Sequence, residues 1–108
     1  MAFTATVDIQ EDIAKITLGG ELDAATAPIL QEKIEEIANN PTRIKKLVLL
    51  VQKLTFMASA GLRILIFAKQ KMGGDVDIYV VGAQETILDT LEKTGVNQSV
   101  IIMDKYPA

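Results

Sequence analysis

Apolar residues occupy every second position at the start of the chain: Phe3, Ala5, Val7 and Ile9. A second alternating stretch, residues 13–18, follows the polar pair Glu11-Asp12 and stops at Gly19-Gly20. Alternation with a period of two is typical of half-buried strands, and a polar turn between two such stretches predicts a hairpin. We therefore expect two antiparallel strands, the second ending at the glycine pair.

Helical and extended patterns alternate along the remainder of the chain. Apolar residues at helical spacing predict helices over residues 27–38, 59–72 and 84–94. Strands are predicted at the apolar runs 47–51, 76–81 and 100–102. The run 47–51 has no polar residue, which is the pattern of a strand covered on both faces and hence of a central strand.

The resulting order is β-β-α-β-α-β-α-β. An opening hairpin followed by β-α units predicts one α/β domain over residues 1–108, with a mixed sheet and helices packed mainly on one side. The length of 108 residues suits a single domain, and 49% of the residues are hydrophobic, enough to form a core.

The predicted helix starts carry residues that favour capping. Thr26 is expected to cap the first helix, with Pro28 in its first turn, and Ser59 lies where a cap of the second helix would be. Asp23 could also cap the first helix or favour its dipole. Phe56 and Met57 would be core residues by default, although an exposed pair would suit a docking patch.

Composition excludes several classes of function. The net charge of −3 argues against nucleic acid as a partner, since such binding needs a basic stripe, and the one basic cluster is Arg43, Lys45 and Lys46. No apolar run approaches the roughly 20 residues of a membrane span, and the N-terminus lacks a secretory pattern, so we expect no membrane association and a cytoplasmic location.

The chain contains neither cysteine nor histidine. This removes thiolate and imidazole metal ligands, cysteine nucleophiles and the commonest general base. We therefore expect no metal, no cofactor and no catalytic residues. An enzyme with Ser59 as its nucleophile would need a lysine or carboxylate as base, and the sequence places neither beside it.

Two segments resemble the anti-sigma factor antagonists that define the STAS domain family. Residues 20–27, Gly-Glu-Leu-Asp-Ala-Ala-Thr-Ala, are similar to the family's G-E-L-D-x-x-T-A segment before the first helix. Residues 54–62, Leu-Thr-Phe-Met-Ala-Ser-Ala-Gly-Leu, are similar to its L-S-F-M-D-S-S-G-L signature at the second helix. The chain departs from the family pattern at Leu50, Lys53, Ala58 and Ala60, where relatives commonly carry acidic residues, asparagine or serine.

The resemblance implies a partner-switching regulator. Ser59 matches the serine that a kinase phosphorylates, the kinase also being the anti-sigma factor that the unmodified protein binds. A serine phosphatase is a further partner in this scheme. The residues expected around the docking surface are Asp23, Thr26, Met57, Ala58, Ala60, Gly61 and Leu62. The alternative is a STAS module without phosphorylation, acting in nucleotide or lipid sensing or in protein assembly. The alternative for Ser59 itself is that it serves only to cap the second helix.

Overall fold

The computed structural model describes residues 3–105 of the chain. Five strands and three helices follow the predicted order, with a short 3-10 turn at Val96–Gln98 before the last strand. The elements are β1 (Thr4–Gln10), β2 (Ile13–Leu22), α1 (Ala27–Ala38), β3 (Lys46–Met57), α2 (Ser59–Met72), β4 (Asp77–Val81), α3 (Glu85–Thr94) and β5 (Ile101–Met103). The predicted α/β class is therefore confirmed.

The strands form one sheet in which spatial order equals chain order, β1-β2-β3-β4-β5. Strands β1 and β2 pair antiparallel, from Thr4 opposite Gly19 to Gln10 opposite Ile13, as the alternating pattern predicts. The other three pairings are parallel, so the sheet is mixed and β3 is central. Across residues 3–105, no helix is long and apolar enough to span a bilayer.

The core lies between one face of this sheet and all three helices. Because side chains alternate along a strand, every second residue of the inner strands points to the helices. The buried strand residues are Ala14, Ile16, Leu18, Leu47, Leu49, Val51, Ile78 and Val80, and the helices add Leu30, Ile34, Ile37, Leu62, Leu65, Ile87 and Leu91. The prediction that the helices pack mainly on one side is confirmed.

Two strands are longer than the sequence pattern predicts. Strand β2 continues past Gly19-Gly20 to Leu22, and β3 continues past Val51 to Met57. The register between β2 and β3 shifts between Thr17 and Gly19 and again between Gly20 and Glu21. Such bulges interrupt the alternation of inward and outward side chains on which the strand prediction rests. Gly20 has a φ of 89°, which a residue without Cβ adopts readily. Strand β2 therefore continues through the glycine pair instead of ending there, and the extra residues of the bulges lie on β3.

The extension of β2 and β3 decides where the second helix begins. Glu21 lies opposite Phe56 and Leu22 lies opposite Met57 at the end of the paired region. Helix α2 starts only two residues after Met57. The end of β2 and the start of α2 are thus held side by side by the sheet itself.

Candidate functional site

The two motifs, about thirty residues apart in sequence, meet where β3 passes into α2. The backbone N–H of Ala58 donates a hydrogen bond of 2.8 Å to the carbonyl of Leu22, one residue before Asp23. This bond ties the β2–α1 loop to the β3–α2 connection. We call the exposed and half-exposed residues of these two segments, Asp23, Thr26, Phe56, Ala58, Ser59 and Ala60, the junction surface.

Asp23 and Thr26 hold the β2–α1 loop through reciprocal hydrogen bonds. Asp23 Oδ1 accepts from the backbone N–H groups of Ala25, at 3.0 Å, and Thr26, at 3.1 Å. In return, Thr26 Oγ1 accepts from the N–H of Asp23 at 2.9 Å, and its hydroxyl donates to the carbonyl of Glu21 at 2.9 Å. The bonds to the Asp23 carboxylate, led by that from the Thr26 N–H, lower its pKa below the usual 3.8.

The predicted position of the first helix cap, Thr26, is confirmed, but the capping hydrogen bond is not formed. Thr26 occupies the N-cap position of α1, but its side chain makes no capping hydrogen bond to the helix. The Thr26 hydroxyl instead bonds the backbone of the β2–α1 loop. The Asp23 carboxylate accepts from the backbone N–H groups of the turn that precedes the helix. The alternative prediction, that Asp23 caps the first helix, is wrong as well, because both N–H groups that its carboxylate binds precede Ala27, the first residue of α1. Pro28 lies in the first turn as predicted.

Ser59 is the first residue of α2 and not its cap. The N-cap is Ala58, whose extended backbone, with ψ of 172°, continues the direction of β3. The N–H groups of Gly61 and Leu62 both donate to the Ala58 carbonyl. Ser59 is exposed, and within the described residues its hydroxyl has no hydrogen-bond partner. The capping explanation of Ser59 is thus contradicted.

The start of α2 packs closely against the end of β2. A Cβ on Gly61 would lie 2.7 Å from Leu22 Cδ2, 2.8 Å from Leu22 Cγ and 3.1 Å from Met57 Cγ. Contacts below 3.0 Å are not tolerated between carbon atoms, so only glycine permits this approach. Met57, Gly61 and Leu62, expected at the docking surface, are buried and offer little area to a partner. Their contribution is to position the residues above them.

The structure separates Phe56 from Met57. Met57 is 6% exposed and belongs to the core, whereas Phe56 is 50% exposed. Two further large apolar residues that sequence reasoning missed are exposed on the helices, Ile29 at 42% in the first turn of α1 and Ile66 at 45% in the middle of α2. The sequence did contain a signal for Ile66: it follows Ser59 by seven residues, and this spacing places both residues on one face of the helix.

One positive charge, Arg63, lies on the same face of α2 as Ser59, and the carboxylate of Asp23 belongs to the same junction surface. Arg63 follows Ser59 by four residues, which puts the two side chains on the same face of α2. Arg63 is exposed and forms no ion pair within residues 3–105; the pairs there join Arg43 to Asp75 and Lys93 to Asp89. No carboxylate or lysine bonds the Ser59 hydroxyl in the same region. The described residues also contain no cluster of metal-ligating side chains.

Comparisons with known proteins identify relatives of the whole domain. The family model of the STAS domain matches residues 4–107. The anti-sigma-F factor antagonist RsfB of Mycobacterium tuberculosis is 38% identical over 81 residues, which is 74% of this chain and 64% of the relative. The match therefore spans less than two thirds of the relative's length.

Solved structures share the fold at lower identity. The crystal structure of an anti-sigma factor antagonist from Mycobacterium paratuberculosis superposes with a TM-score of 0.86 at 23% identity, covering 96% of this chain and 87% of that one. The Bacillus cell fate determinant SpoIIAA in its phosphorylated form gives 0.73 at 18% identity, covering 97% and 92%. At these identities the likeness is one of fold.

Proposed function

The chain belongs to the STAS domain family, and from this premise we propose that it is an anti-sigma factor antagonist. The unphosphorylated protein binds an anti-sigma factor that is also a serine protein kinase, and phosphorylation of Ser59 ends the complex. A serine phosphatase returns the protein to its binding form. The chain is then a cytoplasmic regulator and not an enzyme. The name of the 38% identical relative, an anti-sigma-F factor antagonist, supports this proposal.

The observation that carries the proposal is the exposure of Ser59 at the first position of α2. A kinase must reach a serine hydroxyl in its active site, and this one is free of hydrogen bonds within the described residues. The first turn of a helix presents N–H groups without acceptors and a partial positive charge, both of which favour a phosphate. Arg63, one turn further, adds a full positive charge on the same face.

Phosphorylation would interfere with docking because of what surrounds the serine. Phe56, Ala58 and Ala60 give the junction surface an apolar character beside Ser59. A phosphate brings a charge of about −1.5 to −2, and burying that charge against an apolar or acidic partner surface carries a large desolvation or repulsion cost. The buried residues Gly61 and Leu62 hold the α2 start in place, so modification changes the charge of the surface without changing its shape.

The test uses the two serines of the chain, Ser59 and Ser99, as target and matched control. Both are exposed, and Ser99 lies at the end of the 3-10 turn. The protein is incubated with a candidate anti-sigma factor kinase and ATP, and its intact mass is measured. We expect one added phosphate that Ser59→Ala abolishes and Ser99→Ala preserves. The phosphorylated protein should also bind the anti-sigma factor at least tenfold more weakly in titration calorimetry.

The opposite results would be equally informative. No phosphate from a kinase that is active on another substrate, or a phosphate that persists in Ser59→Ala, contradicts the switch for that pair. Binding that is equally tight before and after phosphorylation contradicts the release step. Either outcome leaves the antagonist without its proposed regulation.

A second candidate function rests on positions where the chain departs from its relatives. Ala58, next to the serine, stands where relatives commonly carry aspartate, and Leu50 and Lys53 replace acidic or amide groups on the sheet face away from the helices. In this alternative the chain is a STAS module for ligand sensing or assembly, and Ser59 stays unmodified. A nucleotide or lipid that raises the melting temperature with concentration would support it, since a ligand of the folded state stabilises by RT ln(1 + [L]/Kd).

A further inference from the structure

We propose that the free edge of β1 pairs with β1 of a second copy of this chain, giving a two-fold dimer whose sheet is continuous across the interface. Strand β1 ends the sheet on one side, and within residues 3–105 no strand lies beyond it. No residue of β1 belongs to the junction surface, so the proposal does not depend on the antagonist function or on Ser59.

Strand β1 lacks the features that usually protect an edge strand from other chains. It runs for seven residues, Thr4–Gln10, without proline or lysine, and Asp8 is its single charged residue. Its pairing with β2 contains no bulge or register shift. The strand at the opposite edge, β5, has only three residues. A long and regular edge strand is a template for pairing with another chain.

Three residues of β1 turn their backbone N–H and C=O groups toward solvent. Gln10 and Ile13 flank a two-residue turn, and residues in that position exchange hydrogen bonds across the hairpin. Bonded and non-bonded pairs alternate along an antiparallel ladder, so the backbones of Ala5, Val7 and Ile9 do not bond β2. Within the described residues these groups have no other partner.

One antiparallel register uses all of these groups. With Val7 opposite Val7 of the second copy on the two-fold axis, the whole of β1 is paired, and Ala5 faces Ile9 of the second copy. The outward N–H and C=O groups then bond each other across the interface. A shift by two residues leaves part of each strand unpaired, and in one direction it puts Asp8 opposite Asp8, which is destabilising. A shift by one residue sets apolar side chains opposite polar ones.

The side chains of β1 are complementary to themselves in this register. Ala5, Val7 and Ile9 form a half-buried row beside the core, and pairing removes the rest of this row from water. On the other face of the sheet Thr6 lies opposite Asp8 of the second copy, where its hydroxyl can donate to the carboxylate. No like charges meet directly, although each chain carries a net charge of −3. This match of the strand with itself identifies the second copy as the partner.

Sedimentation equilibrium of the whole chain tests the proposal. One pair of short strands is a small interface, so the concentration should run from about 10 μM to 1 mM. We expect the average mass to rise from 11.7 kDa toward twice that value. Amide hydrogen exchange at Val7 and Ile9 should slow as the concentration rises, whereas exchange at Thr6, which is bonded to β2, should not change.

Two pairs of variants locate the contact. Val7→Pro removes an outward N–H and no bond to β2, so the monomer should fold while the dimer weakens at least about tenfold. Val7→Ile keeps the N–H and should dimerise as the unmodified protein does. Thr6→Lys sets a positive charge opposite Asp8 of the second copy and should tighten the dimer about fivefold. Gln10→Lys changes the net charge equally but faces Thr4, and should tighten it less.

Three results would overturn the proposal. A mass of 11.7 kDa at every concentration removes the dimer. A dimer that Val7→Pro leaves intact, or that the two lysine variants strengthen equally, is joined somewhere other than β1 in this register. A mass that keeps rising beyond that of two chains shows an open-ended contact in place of a closed pair. Circular dichroism checks the fold of each variant, and the lysine variants decide the question if Val7→Pro unfolds.

Discussion

Replacing Gly61 with alanine adds one methyl group between α2 and β2. The new Cβ would lie 2.7 Å and 2.8 Å from two atoms of Leu22, whose side chain is itself fully buried. Because neither the strand nor the core has free space there, α2 must shift by some tenths of an ångström. Overpacking of this kind costs about 1–3 kcal/mol, and the better helix propensity of alanine returns up to about 1 kcal/mol.

The net expectation is a loss of about 1–2 kcal/mol in the free energy of unfolding, or a melting temperature lower by roughly 4–10 °C. Urea unfolding followed by circular dichroism measures it. Gly74→Ala is the matched control, since a Cβ on Gly74 meets no atom within 4 Å and should leave stability unchanged. A Gly61→Ala protein as stable as the original would show that close contact between α2 and β2 does not constrain this residue.

Further predictions concern the junction surface. Asp23→Asn keeps the Oδ1 acceptor but removes the charge. Because the pKa of Asp23 is lowered in the folded state, its carboxylate stabilises the fold at pH values above its unfolded pKa, near 3.8. This contribution disappears as the pH falls through the folded-state pKa. The variant should therefore show a flatter loss of stability below about pH 4 in acid unfolding, and an unchanged profile would contradict this. Phe56→Ala should change stability by less than about 0.5 kcal/mol yet weaken anti-sigma factor binding, whereas Met57→Ala should cost about 2–5 kcal/mol; equal stability losses in denaturant titrations would refute the assignment. Ser59→Glu should abolish that binding while raising the free energy of unfolding by about 0.3–1 kcal/mol, since a negative charge suits the α2 start; loss of binding through unfolding would speak against the switch.

The spacing of apolar residues predicted the elements in which that spacing stays regular from end to end. The alternation of β1 and the helical spacing of α1, α2 and α3 all correspond to observed elements. The pattern failed over the second half of β3, where a bulge places Gln52 and Lys53 on one face and the run no longer reads as a strand. The same failure displaced the predicted cap, because a strand that continues to Met57 leaves Ala58 as the N-cap and Ser59 inside the helix.

Only those parts of the candidate site that lie within a short sequence motif could be predicted from the sequence. Asp23, Ser59 and Gly61 lie in two short segments whose similarity to a family placed them together. The exposure of Phe56 follows from the true length of β3, which the sequence pattern underestimates. Lys53 lies on the sheet face away from the helices only because of the bulge in β3, which the sequence pattern does not reveal.

The identity of spatial and chain order in the sheet bears on how the protein is made. Each strand joins the one that preceded it, so a chain emerging from the ribosome adds strands successively to a single growing edge. No strand has to insert between two that are already paired. Pairing of neighbours in sequence avoids still longer loop closures, although the parallel pairings join residues about thirty positions apart, such as Ile13 and Lys46. The partly synthesised sheet therefore grows at one edge only, and β5, of only three residues, is added last and becomes the final edge strand.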